Sequence, residues 1–288
     1  MTGENLQPTY KRQRFLLSYI RQLNGGVTAT DIQKLVFLHT VQGESDYYDF
    51  VPYRYGPYSF QLAEDIDILY RDHFLERNDS RIHAIGEYPR ERMFSIPNER
   101  GDELIGKVYR EYPYYAMNSD ILGRFFNEEE ADRIRGTRRR FSQQDQVLFT
   151  IGYEGKSVES FMNILIRNDV RLLCDVRKNP LSRKFGFSKS RLSSIAAWVK
   201  VEYVHIPGLG IESEKRVFLH SEDDYRRLFD DYAKTLPSRK PFLDEVCSML
   251  RKYNRVALMC YEKEPEMCHR HVVRDYLVDA YEMESVDL

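Results

Sequence analysis

The sequence predicts a two-part α/β protein. Its C-terminal domain is Rossmann-like, a mostly parallel sheet with helices on both faces, and its N-terminal domain is of winged helix-turn-helix type. Three observations predict this. From about residue 147 onward, short apolar runs alternate with stretches of helical periodicity, as in strands joined by crossover helices. Before residue 97, three amphipathic stretches precede two short extended runs, the order of a winged helix. The chain has 288 residues, 42% hydrophobic and 13% aromatic, enough for two cores and too apolar for disorder.

In the first domain, residues 1–97, the run 15–24 (FLLSYIRQLN) has helical spacing and stops at Gly25-Gly26. Thr30 is the expected cap of a second helix over 31–41. The tyrosine-rich turn 53–59 leads into a third helix over 60–70, and residues 81–84 and 92–96 read as two strands around Gly86 and Pro89. Residues 98–146 form a helical connector, broken at Tyr112-Pro113 and resuming as a charged helix over 119–140. That helix ends in Arg133, Arg135, Arg138, Arg139 and Arg140, which either meet phosphates or form a solvated face balanced by the preceding acids.

In the last domain, residues 147–288, strands are expected at 147–151, 171–176, 202–206 and 255–260. Helices are expected at 158–167, 192–200, 223–236, 241–253 and 266–281. Such sheets bind ligands at the carboxyl ends of their strands, where this chain collects its polar residues. These are Tyr153 after the first strand, Asp175, Arg177, Arg183, Phe185 and Phe187 after the second, and Glu262, Cys268, His269, Arg270 and His271 after the fourth.

Composition narrows the function classes. With 43 basic and 45 acidic side chains, the protein is no polycation, so any nucleic-acid surface must be a local patch. No run approaches the length of a membrane span, and the first eight residues lack a signal peptide's apolar stretch. Four cysteines suit a reducing compartment. The expectation is a soluble cytoplasmic protein without membrane contact.

Two resemblances add to these readings. The blocks TIGYEG, LLCDVRKNPLSRKFGFSK, YVHIPGLG and VALMCYEKEPEMCHRHVV resemble, in order, those of the domain-of-unknown-function family 488. This implies a compact Rossmann-like domain over about residues 147–280, in a family suspected of acting on nucleic acid, including modified DNA. The run IQKLVFLHT…YDFVPYRYGPYSFQLAEDIDIL resembles winged-helix-like proteins of the YwgA group and, more distantly, the Panacea antitoxin domain, over about residues 12–97.

Three chemistries compete for the rim. The spacing of Cys260, Cys268, His269 and His271 matches no standard zinc motif, and no cofactor fingerprint is present, so neither metal nor cofactor is expected. Cys260 or Cys268 could serve a sulfurtransferase-like thiol enzyme, or be inert core residues. Metal-free hydrolysis of an N-glycosidic bond uses the remaining residues. Asp175 or Glu262 would handle water or sugar charge, and Arg177, His269, Arg183 and Arg270 would meet phosphate or the departing base. Tyr153, Phe185 and Phe187 would stack. The same residues could equally be structural ion pairs. Joined to a winged helix and to the family's suspected role, this gives the leading expectation. It is a DNA glycosylase that flips a modified base out of double-stranded DNA, for example in defence against phage. A non-catalytic ligand-sensing regulator or antitoxin is the other alternative.

Overall fold

The computed structural model describes residues 7–86, 93–138, 145–216 and 219–288. The chain divides into two compact units, Met1–Thr137 and Arg138–Leu288.

The first unit begins with helix α1 (Lys11–Arg21), a short strand β1 (Val27–Thr28) and helix α2 (Ala29–Val41). Thr28, not Thr30, caps α2, its hydroxyl accepting from the Asp31 amide at 3.0 Å. The tyrosine-rich turn forms a tight hairpin of β2 (Val51–Tyr53) and β3 (Gly56–Tyr58), and Ser59 caps helix α3 (Phe60–Arg71). Strands β4 (Leu75–Asn78) and β5 (Arg81–Ala84) then pair antiparallel, and β1 joins β5 to give the order β1-β5-β4. The expected partner of β5 at 92–96 is therefore replaced by β4. Residues 93–96 carry no strand, while Arg92 and Pro89 lie outside the described residues. Helices α4 (Gly101–Glu111), α5 (Pro113–Ala116) and α6 (Glu128–Arg135) complete the unit. The long charged helix expected over 119–140 shrinks to α6 because Asn127 and Glu130 form a capping box that fixes its start.

The second unit is built on five parallel strands in the order β10-β6-β9-β7-β8. They are β6 (Val147–Gly152), β7 (Leu172–Asp175), β8 (Glu202–His205), β9 (Arg255–Cys260) and β10 (Ser285–Asp287). Between them run α7 (Val158–Arg167), α8 (Lys189–Trp198), α9 (Glu222–Thr235), α10 (Lys240–Tyr253) and α11 (His269–Tyr281). The sheet is thus parallel throughout, and β10 is a strand that the sequence reading lacks. Every residue of β6, β7 and β9 is buried, as expected of strands covered on both faces. Leu148, Cys174, Leu258 and Cys260 pack with α9, α10 and α11. The alternate positions Phe149, Leu173, Ala257 and Met259 point the other way and are buried too. Crossovers leave β6 and β7 toward β8, whereas the one leaving β9 returns toward β10. Strand β9 therefore sits at the switch point, and its carboxyl end opens where a ligand crevice is expected.

Candidate functional site

Two clusters meet at the carboxyl edge of β6, β9 and β7. Asp175 ends β7 with no exposed surface, and Arg177, two residues on, is 6% exposed. Arg177 Nε donates to Asp175 Oδ1 at 2.8 Å and its Nη2 to Oδ2 at 2.6 Å, a bidentate pair. The Arg177 amide donates to Oδ1 at 3.1 Å, and Tyr203 Oη on neighbouring β8 donates to Oδ2 at 2.7 Å. Arg177 Nη1 donates to Tyr153 Oη at 3.1 Å and to the Phe187 carbonyl at 3.0 Å. Burial works against the charge of Arg177, yet its hydrogen bonds to Asp175 outweigh that and raise its pKa. Burial, and then the Asp175 charge, push the Tyr203 phenol up as well. This cluster is closed: each carboxylate oxygen accepts two hydrogen bonds, and the guanidinium is engaged on three nitrogens.

The second cluster follows β9. The loop after Cys260 lies directly on Gly152 at the end of β6, where an added Cβ would fall 1.7 Å from the Glu262 carbonyl oxygen. Arg270, fully buried in the first turn of α11, fastens this loop. Its Nη1 donates to the Glu262 carbonyl at 2.5 Å, Nη2 to that of Lys263 at 2.9 Å, and Nε to Thr150 Oγ1 at 3.3 Å. His269 Nε2 lies 3.1 Å from the Val176 carbonyl, which can only accept, so the proton sits on Nε2. The lone pair of Nδ1 then faces Arg216 Nη2 at 2.9 Å, Cys260 Sγ at 3.6 Å and Cys268 Sγ at 4.0 Å. Both thiols are buried, and burial pushes the Cys268 thiol well above its usual range. Glu262, its side chain 23% exposed, has Oε1 3.4 Å from Arg216 Nη1 and Oε2 3.5 Å from Cys260 Sγ. Tyr232 of α9 meets the His269 ring edge-on at 5.7 Å and also lines a cavity of about 360 Å³ between α9 and the segment around Ile211 and Lys215.

The site residues expected from sequence thus separate. Glu262 and His269 come together, Asp175 and Arg177 come together, and the backbone of Val176 links the two pairs. Tyr153 and Phe187 are buried against each other, rings stacked at 4.3 Å, with the Arg177 guanidinium over Tyr153. Their faces are therefore occupied, and neither offers a platform to a base. Arg270 is likewise enclosed and holds the loop instead of facing phosphate. Phe185 is half-buried with Arg191 over its ring, and Arg183 is exposed. Arg139 and Arg140, with the Arg138 side chain, lie outside the described residues. His271 turns away, its Nδ1 at 2.6 Å from the Cys268 carbonyl and its ring edge-on to Phe229.

Three lysines that the sequence reading passed over adjoin the second cluster. Lys156 Nζ donates to the Gly152 carbonyl at 2.9 Å and Lys184 Nζ to that of Tyr153 at 3.2 Å. Burial, and then the charges of Arg270, Lys263 and Lys184, pull the Lys156 pKa down. Their signal in the sequence was weak, since single lysines in separate loops make no run.

Residues 157–277 match the family model described as Domain of unknown function DUF488. No curated protein and no solved structure matches the chain.

Proposed function

We propose that the protein acts on double-stranded DNA and hydrolyses the N-glycosidic bond of a flipped, modified base, with Glu262 as the reacting carboxylate. One observation carries the choice of residue. Of the two rim carboxylates, Asp175 is buried with both oxygens doubly hydrogen-bonded, whereas Glu262 is partly exposed and, among the described residues, meets one guanidinium, that of Arg216. A general base needs reach to water and an oxygen free to take a proton. In this scheme Glu262 removes a proton from water as the water oxygen bonds to C1′ and the C1′–N bond breaks. The departing base takes the bonding electron pair, stabilised by Arg216, and then collects the proton from Glu262. The cavity beside Tyr232, at the small end of the range for small-molecule sites, is the candidate receptacle for the flipped base. Lys156, Lys184 and exposed Arg183 supply phosphate contacts.

The first unit supports the DNA reading through its element order. Three helices and the antiparallel sheet β1-β5-β4 fit a winged helix, with β4 and β5 as the wing. Free buried thiols suit a cytoplasmic setting, where modified phage DNA would be the substrate to attack.

The experiment incubates the full chain with duplexes carrying normal, uracil, hydroxymethylated or glucosylated bases and reads alkali-labile sites. Wild type should release one class of modified base. Glu262→Gln should lose at least a hundredfold in rate, the order expected of a general base, with an unchanged melting temperature. No product from any duplex, with the fold and DNA binding intact, overturns the reading.

A further inference from the structure

We infer that Cys260, Cys268 and His269 form a zinc site with an open fourth position facing Glu262. The inference goes beyond the proposed hydrolysis and stands on geometry alone. The three donor atoms lie within 4.8 Å of one another and all three residues are buried. Tetrahedral zinc holds sulfur at about 2.3 Å and nitrogen at about 2.0–2.1 Å, which places a bound sulfur and nitrogen about 3.6 Å apart. Here Nδ1 of His269 is 3.6 Å from Cys260 Sγ and 4.0 Å from Cys268 Sγ. Both sulfur–nitrogen separations are thus within about half an ångström of the spacing that tetrahedral zinc sets.

The orientation of the histidine is the second observation. Its Nε2–H is fixed on the Val176 carbonyl, the outer hydrogen bond that metal-bound histidines ordinarily make. The remaining lone pair is thereby aimed between the two sulfurs. Each ligand also sits on a firm support, since Cys260 ends a central strand and Cys268 and His269 open α11. Two soft thiolates and one imidazole favour zinc over magnesium or calcium.

Arg216 occupies the pole that the ion would take. Its Nη2 donates to His269 Nδ1 at 2.9 Å, its Nη1 is 3.4 Å from Glu262, and its Nε is buried without a partner among the described residues. The guanidinium answers the lone pair when no metal does. It lies on the short turn Ser213–Arg216, from which it can move wholly onto Glu262 as zinc enters. With three protein ligands the fourth position is left to water, and Glu262 is the carboxylate adjacent to it. This is the arrangement of a hydrolytic zinc centre rather than a closed structural one.

The test measures metal in the full-length protein, independently of any substrate. Elemental analysis of protein purified without chelator should find one zinc per chain, and chelated protein should recover one equivalent from micromolar zinc. Cobalt(II) loaded in its place should give the near-ultraviolet thiolate-to-metal absorption and the strong visible bands of a tetrahedral thiolate site. Cys260→Ser, Cys268→Ser and His269→Asn should each weaken uptake at least tenfold, with circular dichroism confirming that the variants fold. Glu262→Gln should keep the ion, and Arg216→Ala should bind it more tightly. Failure of folded wild type to take up zinc or cobalt overturns the site, and loss of the ion in Glu262→Gln overturns the open position. Since the readout is metal content, it is separate from failure of the glycosidic reading, which shows only as absence of product.

Discussion

Replacing Asp175 by Asn should destabilise the second unit heavily, and the structure sets the size of the effect. Asp175 has no exposed surface and accepts four hydrogen bonds, three from Arg177 and one from Tyr203. An amide of the same shape keeps one acceptor and turns a donor toward Arg177 or Tyr203, leaving the buried guanidinium without its counter-charge. Removing one partner of a buried pair costs about 3–5 kcal/mol. A domain of this size is stable by roughly 5–15 kcal/mol, so the variant should still fold. Trp198 of α8 is the sole tryptophan of the chain, so its fluorescence during urea unfolding reports this unit alone. With an m-value of about 2 kcal/mol per molar, the midpoint should fall by about 2 M. Asp175→Asn combined with Arg177→Met should recover part of the loss, with a coupling of roughly 2 kcal/mol or more in the double-mutant cycle. A midpoint shift under about 0.25 M, no more than an ordinary surface change gives, would refute the reasoning. Asp175 would then be a free carboxylate and a contender for catalysis.

Other perturbations probe separate links. Gly152→Ala should displace the loop bearing Glu262, because the new Cβ meets backbone that cannot yield cheaply. Expected are a loss of about 1–3 kcal/mol and of product formation, and wild-type activity in this variant would show that the loop is not held there. Lys156→Ala with Lys184→Ala should lower the slope of log K against log salt by about 2 if both meet phosphate, read by fluorescence anisotropy with labelled duplex; an unchanged slope removes them from the DNA surface. In the first unit, burial lowers the Lys34 pKa from 10.5 to about 8, with Nζ 2.5 Å from the Tyr55 carbonyl. Between pH 8 and 10.5 the unfolded chain therefore holds a proton that the folded one has shed, so stability rises with pH across that window. The amplitude is about 3 kcal/mol, and the far-ultraviolet stability difference from Lys34→Met, followed from pH 7.5 to 11, should change by that amount. A flat difference would contradict it.

Much of the second unit was legible because β6, β7 and β9 are largely apolar runs buried along their whole length, the mark of strands covered on both faces. Strand β10 was not, since Ser285 and Asp287 flank a single valine and only pairing with β6 makes it a strand. The wing of the first unit shows the complementary failure. Its turn is Asp79-Ser80, with φ of 49° and 65°, a conformation that sequence usually announces with glycine. Gly86 and Pro89 carry stronger turn chemistry and drew the reading toward 92–96. Thr28 and Thr30 are both competent caps, and only the path of the chain after Gly26 decides for Thr28.

At the site, the rule that ligands gather at the carboxyl ends of parallel strands pointed to the edge where both clusters form, but it could not sort its residues. Asp175 with Arg177 and Glu262 with Arg216 are the same pairing of types, and what separates them is a third partner. Tyr203 stands on the strand beside Asp175 and donates to it, whereas the Glu262 side chain lies in the loop after β9 and stays 23% exposed. Spacing along the chain also set zinc aside, because Cys260 and Cys268 are eight positions apart and two histidines two apart point to different faces of α11. Folding brings Cys260, Cys268 and His269 together and sends His271 away. The two clusters are nevertheless one construction. Val176 joins Asp175 to Arg177 in sequence, and its carbonyl sets the tautomer of His269. The buried pair fixes that peptide, so its disruption should reach His269 through the backbone. Asp175→Asn is accordingly expected to weaken zinc uptake although Asp175 is not a ligand, and unaltered uptake in the folded variant would mean that the Val176 peptide is held by the sheet alone.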